Sequence, residues 1–267
     1  MSGSFRTVEL SDKPYETGSL RFLTLKTPNL KGRGDVCIYV PKSDRELSDL
    51  PVYILLHGVY GSAWVWALKG GAHHTADKMI KSGKITPAII AMPSDGLWGD
   101  GSAFFSHHGY NFDQWIVNDV RKGVIENIPE ASENSKFCIG GLSMGGYGAL
   151  SLGSRFPEFF RAISGHSSIT KLEQMPMFVE EPLEEYQMYS KYPDVIDIMI
   201  SNKQKLPDLR FDCGQNDDLL EANRILHKQL KGNKIEHIYE EFKGGHEWPY
   251  WQKHLEKTLV FFDEACN

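Results

Sequence analysis

Apolar and polar positions along the chain first suggest strands, then strands alternating with helices. Residues 19–27 (SLRFLTLKT) and 35–40 (DVCIYV) are rich in β-branched and apolar residues, and the turn-prone Pro28-Asn-Leu-Lys-Gly-Arg-Gly34 separates them. That pattern predicts an antiparallel hairpin. Short apolar runs follow at 52–56, 88–92, 137–140, 162–164, 209–213 and 235–242. Near-continuous apolarity of this kind belongs to strands covered on both faces. Between the runs, residues 111–128, 219–230 and 248–262 repeat apolar positions at helical spacing. In the first of these, Asn111 is placed to cap the helix, with Gln114 reaching back in a capping box.

Strand and helix in alternation predict an α/β domain with a mostly parallel central sheet, helices on both faces and the hairpin at its start. With no internal repeat or low-complexity linker, one domain over residues 1–267 is the economical reading. The stretch 169–206 breaks the rhythm with its Met, Tyr, Glu and Pro content. It is expected either as a cap-like insertion over the carboxyl edge of the sheet or as a pair of packing helices.

Composition narrows the function. A formal net charge of -6 and scattered basic residues argue against a nucleic-acid partner. No apolar stretch approaches a membrane span, and Met1-Ser-Gly-Ser-Phe-Arg6 lacks the apolar core of a secretory signal, so a cytoplasmic location is expected. Cys37, Cys138, Cys213 and Cys266 lie far apart, with no CxxC pair. Cys138 and Cys213 lie in apolar strand-like runs and are expected as buried thiols, and neither a zinc site nor a disulfide scaffold is expected. His73-His74 and His107-His108 are adjacent pairs whose rings diverge on most backbones, so no metal is expected there.

The strongest chemical signal is Gly141-Leu142-Ser143-Met144-Gly145, followed by Gly146-Tyr-Gly-Ala149. An apolar strand precedes it and a small-residue helix start follows. That context suits a nucleophilic serine on a sharp strand-to-helix turn, where bulky neighbours would collide. A serine nucleophile needs a base, and the base an orienting carboxylate, in the chain order Ser, acid, His. For the acid, Phe211-Asp-Cys-Gly-Gln-Asn-Asp217-Asp218 ends a strand and opens a helix. Asp217 is preferred, Asp218 is second with the helix cap as its competing role, and Asp212 is third. For the base, His246 in Lys243-Gly-Gly-His-Glu-Trp248 follows the last strand and precedes the last helix. An oxyanion hole is expected from Leu55-Leu-His-Gly-Val-Tyr-Gly-Ser62, through the backbone amides of Val59 (Tyr60 being the alternative) and Met144. His57 is expected to support that loop. His166, just after a strand, is a candidate pocket residue.

Together LLHGVYGSAW, GGLSMGGYGAL, CGQNDDLLEAN and GGHEWPYW resemble the putative-esterase (esterase D-like) family over almost the whole chain. The family's members include S-formylglutathione hydrolases, acetyl, feruloyl and acetylxylan esterases, and mycolyltransferases. The resemblance implies an α/β-hydrolase fold and hydrolysis of carboxylic esters without metal or organic cofactor. It carries the nucleophile onto Ser143, the acid onto Asp217 and the base onto His246. Tyr60-Gly-Ser-Ala-Trp64 stands where S-formylglutathione hydrolases usually have Cys-Thr and a nearby Asn. The closest likeness is therefore to the simple and carbohydrate-ester members, acting on short acyl, acetyl or feruloyl esters. An acyltransferase or an S-formylglutathione-type thioesterase is the alternative, and a homodimer is compatible with the family. The resemblance also places Trp98, Phe104, Phe105 and Tyr110 where relatives build part of the substrate pocket, with Tyr60 at its edge.

Overall fold

The computed structural model describes residues 4–43, 46–186 and 194–267, which gather around one sheet. Nine strands stand in the spatial order β1-β2-β3-β5-β4-β6-β7-β8-β9. These are β1 (Val8–Leu10), β2 (Leu20–Thr27), β3 (Gly32–Tyr39), β4 (Val52–Leu56), β5 (Ile89–Pro93), β6 (Phe137–Leu142), β7 (Ala162–His166), β8 (Asp208–Gly214) and β9 (Ile238–Phe242). The predicted hairpin forms, with β2 and β3 antiparallel from Leu20 opposite Tyr39 to Thr27 opposite Gly32. The short β1, too brief to stand out in the sequence, joins its outer side, and β3 meets β5 antiparallel. From β4 to β9 every pairing is parallel.

Eight α-helical segments accompany the described strands: α1 (Val65–Leu68), α2 (Ala72–Lys81), α3 (Phe112–Gln114), α4 (Arg121–Asn127), α5 (Met144–Arg155), α6 (Val195–Ser201), α7 (Leu220–Gly232) and α8 (Trp248–Cys266). They divide between the faces. Tyr53 and Leu55 of β4 pack with α1, α2 and α8, while Ile54 and Leu56 pack with α3 to α7. Successive strand residues point to opposite faces, so a strand covered on both must be apolar throughout. Strands β4, β5, β6 and β7 are indeed buried at every residue. The edge strand β9 has no fully buried residue, and its IYEEF sequence carries the charge that discourages edge pairing.

The helical stretch 111–128 departs from expectation in two respects. Asn111 precedes the helix but its side chain makes no cap. Its amide nitrogen instead donates to Asn29 Oδ1 at 3.3 Å, and Gln114 Oε1 accepts from Asn118. Trp115–Val120 forms a wider π-helical turn. Within it the Trp115 ring lies so close to Gly34 that a Cβ there would come within 2.5 Å of it, and the indole donates to Ser94 O at 2.8 Å.

Of 169–206, residues 187–193 lie outside the described residues. The described part holds 3-10 turns at Leu172–Met177, Leu183–Glu185 and Lys203–Lys205 and the helix α6. No described helix is long and apolar enough to cross a membrane. What positions the site is the order of connections. From β4 the chain crosses to β5 on one side, then returns past β4 to β6 on the other. The loops leaving β4 and β6 therefore diverge and leave a crevice at their carboxyl ends, the usual location of sites in open α/β sheets.

Candidate active site

Ser143 sits at that crevice, between the end of β6 and the start of α5, with φ 55° and ψ -120°. A non-glycine residue held there costs about 1–3 kcal/mol and persists only if its surroundings hold it. Its N–H donates to His166 O at 2.9 Å, and its carbonyl accepts from Ile169 N at 3.2 Å. The flanking glycines follow from crowding. A Cβ on Gly141 would lie 2.2 Å from Gly145 O, and one on Gly145 would lie 2.3 Å from Leu56 O and 2.4 Å from His57 O. Those neighbours are backbone and cannot swing aside.

Three side chains from three separate loops form one hydrogen-bonded run. His246 Nε2 lies 2.9 Å from Ser143 Oγ. His246 Nδ1 lies 3.0 Å from Asp217 Oδ2 and 3.2 Å from Oδ1. Gly244, at φ +131°, turns the chain ahead of His246. The imidazole is then packed by Phe178, stacked at 5.0 Å, and by Trp251, edge-on at 5.0 Å. Asp217 is buried, and its Oδ1 also accepts Leu219 N–H at 2.9 Å where α7 begins. One carboxylate thus serves both the imidazole and the helix start, the two tasks that left Asp217 and Asp218 open in the sequence. Asp218 is exposed. Burial opposes the charge on Asp217, but the hydrogen bond and charge of His246 and the Leu219 amide outweigh it, holding the carboxyl below its ordinary range.

Asp212, the third candidate acid, belongs to a separate buried network. It accepts Arg210 Nη1 at 2.6 Å, His166 Nδ1 at 3.0 Å and Tyr250 Oη at 2.8 Å. Despite complete burial, these partners bring its pKa down to about 2. His166 Nε2 meets Thr258 Oγ1 at 2.8 Å, so the His166 ring is occupied within the core rather than facing a pocket. The contribution of His166 to the site is its carbonyl, under Ser143.

On the β4 side, His57 braces the loop as expected. Its Nε2 accepts Asp95 N–H at 3.1 Å, which leaves Nδ1 to donate to Gly58 O at 2.7 Å. Gly61 is packed so closely on that ring that a Cβ would lie 2.3 Å from Nδ1. The Tyr60 amide donates to Asp100 O at 2.8 Å, which removes it as an oxyanion donor. Val59 remains, beside Ser143 in the same cavity. Met144 opens α5, and first-turn amides have no acceptor within their own helix.

The cavity at Ser143 is about 290 Å³, bordered by Val59, Tyr60, Trp64, Phe178, Trp248 and Trp251. Of the expected aromatic platform only Tyr60 borders it. Phe104 and Phe105 are 1 % and 2 % exposed in the core. Trp98 packs against His107 at 4.4 Å and Tyr186 at 5.3 Å, and Tyr110 stacks on Phe112 at 5.3 Å. The loop between β5 and α3 has little regular structure and carries its rings into the main core, Phe104 lying against Gly148 of α5. The other aromatic rings bordering it are those of Phe178, Trp64, Trp248 and Trp251. For Trp248 and Trp251 the signal was present, since both lie within five residues after His246 in GGHEWPYW. Among the described residues, no three His, Cys, Asp or Glu side chains gather as a metal ion would need.

Fold and site together define the class, a serine hydrolase of the α/β-hydrolase fold. The model of the family described as "Putative esterase" matches residues 27–262, and the chain belongs to that family of carboxylic ester hydrolases. An acetyl esterase of Caldicellulosiruptor saccharolyticus is 27% identical over 245 residues, 85% of this chain and 88% of the relative. Among solved structures, a ferulic acid esterase superposes with a TM-score of 0.81 at 21% identity, over 98% of this chain and 99% of that one. An S-formylglutathione hydrolase from Agrobacterium tumefaciens gives 0.78 at 17% identity, over 94% and 98%. At such identities the two structures speak for the fold.

Proposed function

We infer that the protein hydrolyses short-chain acyl or carbohydrate-linked acetyl and feruloyl esters through an acyl-enzyme on Ser143. The observation that carries this is the run from Ser143 through His246 to Asp217, at 2.9 and 3.0 Å. His246 Nε2 takes the Ser143 proton as Oγ attacks the ester carbonyl carbon. The developing oxyanion is met by the Val59 and Met144 amides, donors of a kind worth roughly 3–4 kcal/mol each. His246 gives the proton to the leaving alcohol, then takes one from water as its oxygen bonds to the acyl carbon, and passes it to Ser143 Oγ as the acyl–Oγ bond breaks and the acid leaves. Asp217 keeps the His246 proton on Nδ1 and stabilises the imidazolium.

The substrate class is supported by the cavity, whose size suits a small acyl group and whose tryptophans suit an aromatic one. The names of the acetyl esterase and ferulic acid esterase relatives point the same way. The test is kcat/KM for p-nitrophenyl acetate, butyrate and octanoate and for methyl ferulate, with wild type and Ser143→Ala. The expected result is turnover that favours the shorter chains or ferulate and falls about a millionfold in kcat in the variant. Equal turnover by the variant would remove Ser143 from the chemistry. Preference for octanoate, or acyl transfer to an added alcohol in place of hydrolysis, would overturn the substrate assignment.

A further inference from the structure

Cys138 and Cys266 lie far apart in the sequence, and the fold brings them together. Their sulfurs are 3.6 Å apart although 128 positions separate them in the chain. Cys138 lies near the start of β6, the strand that leads to Ser143, and Cys266 lies in the final turn of α8. Cys138 is fully buried, and Cys266 is 7 % exposed. Both face the core shared by β6 and α8, where Tyr53 and Phe262 stand in tilted contact at 5.2 Å.

We propose that Cys138 and Cys266 form an oxidisable dithiol site that closes to an intramolecular disulfide with a low-molecular-weight disulfide such as oxidised glutathione. Bond formation requires the sulfurs to approach from 3.6 Å to about 2.0 Å. The movement falls on the end of a helix, which adjusts more readily than a central strand. The hydrogen bond from Cys138 holds the Cys266 thiol below its ordinary pKa against the effect of burial, with the Lys136 and Arg161 charges assisting. Burial and the same pairing push Cys138 up. Cys266, slightly exposed and the better thiolate, is therefore the attacking sulfur.

The steps balance. The Cys266 thiolate attacks one sulfur of the oxidant, forms a mixed disulfide and expels one thiolate. Cys138 loses its proton and attacks the Cys266 sulfur, so the second small thiol departs. Two protein thiols and one disulfide become one protein disulfide and two small thiols. The cross-link joins α8 to the strand of the nucleophile at the end of the sheet remote from Ser143. Its effect therefore falls on resistance to unfolding, and it restricts a long loop of the unfolded chain.

The reduced, folded protein is incubated with oxidised glutathione at about pH 8, then alkylated, digested and mapped by mass spectrometry. The expected product is a linked Cys138–Cys266 peptide pair, with Cys37 and Cys213 alkylated, two of the four thiols lost and a higher Tm that dithiothreitol reverses. Cys266→Ser keeps all three remaining thiols under the same treatment. A glutathione adduct that persists on Cys266 without cross-linking, or four thiols retained by the folded wild type, would overturn the proposal. The mapping uses wild-type protein, so poor folding of the variant leaves the test intact.

Discussion

Substitution of Asp217 by Asn and by Ala separates the two tasks of that carboxylate. Oδ1 accepts the Leu219 amide at 2.9 Å, while Oδ2 is the nearer partner of His246 Nδ1 at 3.0 Å. In Asp217→Asn the Leu219 N–H requires an acceptor, so the amide oxygen keeps the Oδ1 place and the NH2 group faces His246. Two donors cannot share that contact. The imidazole therefore moves its proton to Nε2, the atom that must accept from Ser143. The expected loss in kcat is about 10⁴-fold, about 5.5 kcal/mol of transition-state stabilisation. Stability changes little, because the Leu219 amide keeps its acceptor. Asp217→Ala removes that acceptor, at a cost of about 1 kcal/mol, but leaves space for water and does not impose the wrong tautomer. The Ala variant is thus expected to melt lower yet turn over faster than the Asn variant. Steady-state kinetics on p-nitrophenyl acetate and thermal unfolding measure both quantities on the same preparations. An Asn variant more active than the Ala variant, or within tenfold of wild type, would refute the reasoning.

Other outcomes follow from particular contacts. Gly145→Ala forces a Cβ against two carbonyl oxygens at 2.3 and 2.4 Å. It should cost about 3 kcal/mol, or about 6 °C in Tm for a chain of this size, and a wild-type melting curve would count against it. His107 has its pKa lowered to about 4, first by burial and then by His108, against the opposing pull of Ser102 O and Asp95. The unfolded chain takes up this proton near pH 6.5 and the folded chain only near 4. Stability should therefore fall by about 3 kcal/mol as pH drops through that window. Urea titrations of wild type and His107→Gln across it check this, and parallel pH slopes would exclude His107 as the source. Phe178→Ala removes the ring stacked on His246 and one wall of the cavity. It should lower kcat/KM for methyl ferulate about tenfold or more, and more than for acetate. An equal loss on both esters would mean that Phe178 serves the imidazole rather than the acyl group.

Much of this was legible in the sequence because it is local. The β4 and β6 strands announce themselves, since a strand buried on both faces must be apolar at every position. The turn at Ser143 is local in part: Gly141 is crowded by the Gly145 backbone four residues on, whereas Gly145 is crowded by the distant end of β4. The order of Ser143, Asp217 and His246 follows from a fold whose strand ends present them in sequence. Helix-start position alone leaves the roles of Asp217 and Asp218 exchangeable, although Asp217 is preferred and the resemblance points to it; the structure turns Asp217 toward the His246 ring and leaves Asp218 exposed.

What tertiary structure alone decided depends on which distant segments meet. The sequence shows Trp98, Phe104, Phe105 and Tyr110 as aromatic and near the right strand, but not which way the loop folds. The loop turned inward and joined the main core, and Phe178 came from a different segment to face His246. The same holds for Asp212 with His166, a pair made when β7 meets β8, and for Cys138 with Cys266, made when β6 meets α8. Periodicity acts over a few residues and is written in the chain, whereas pairing across the sheet depends on the packed arrangement of the whole.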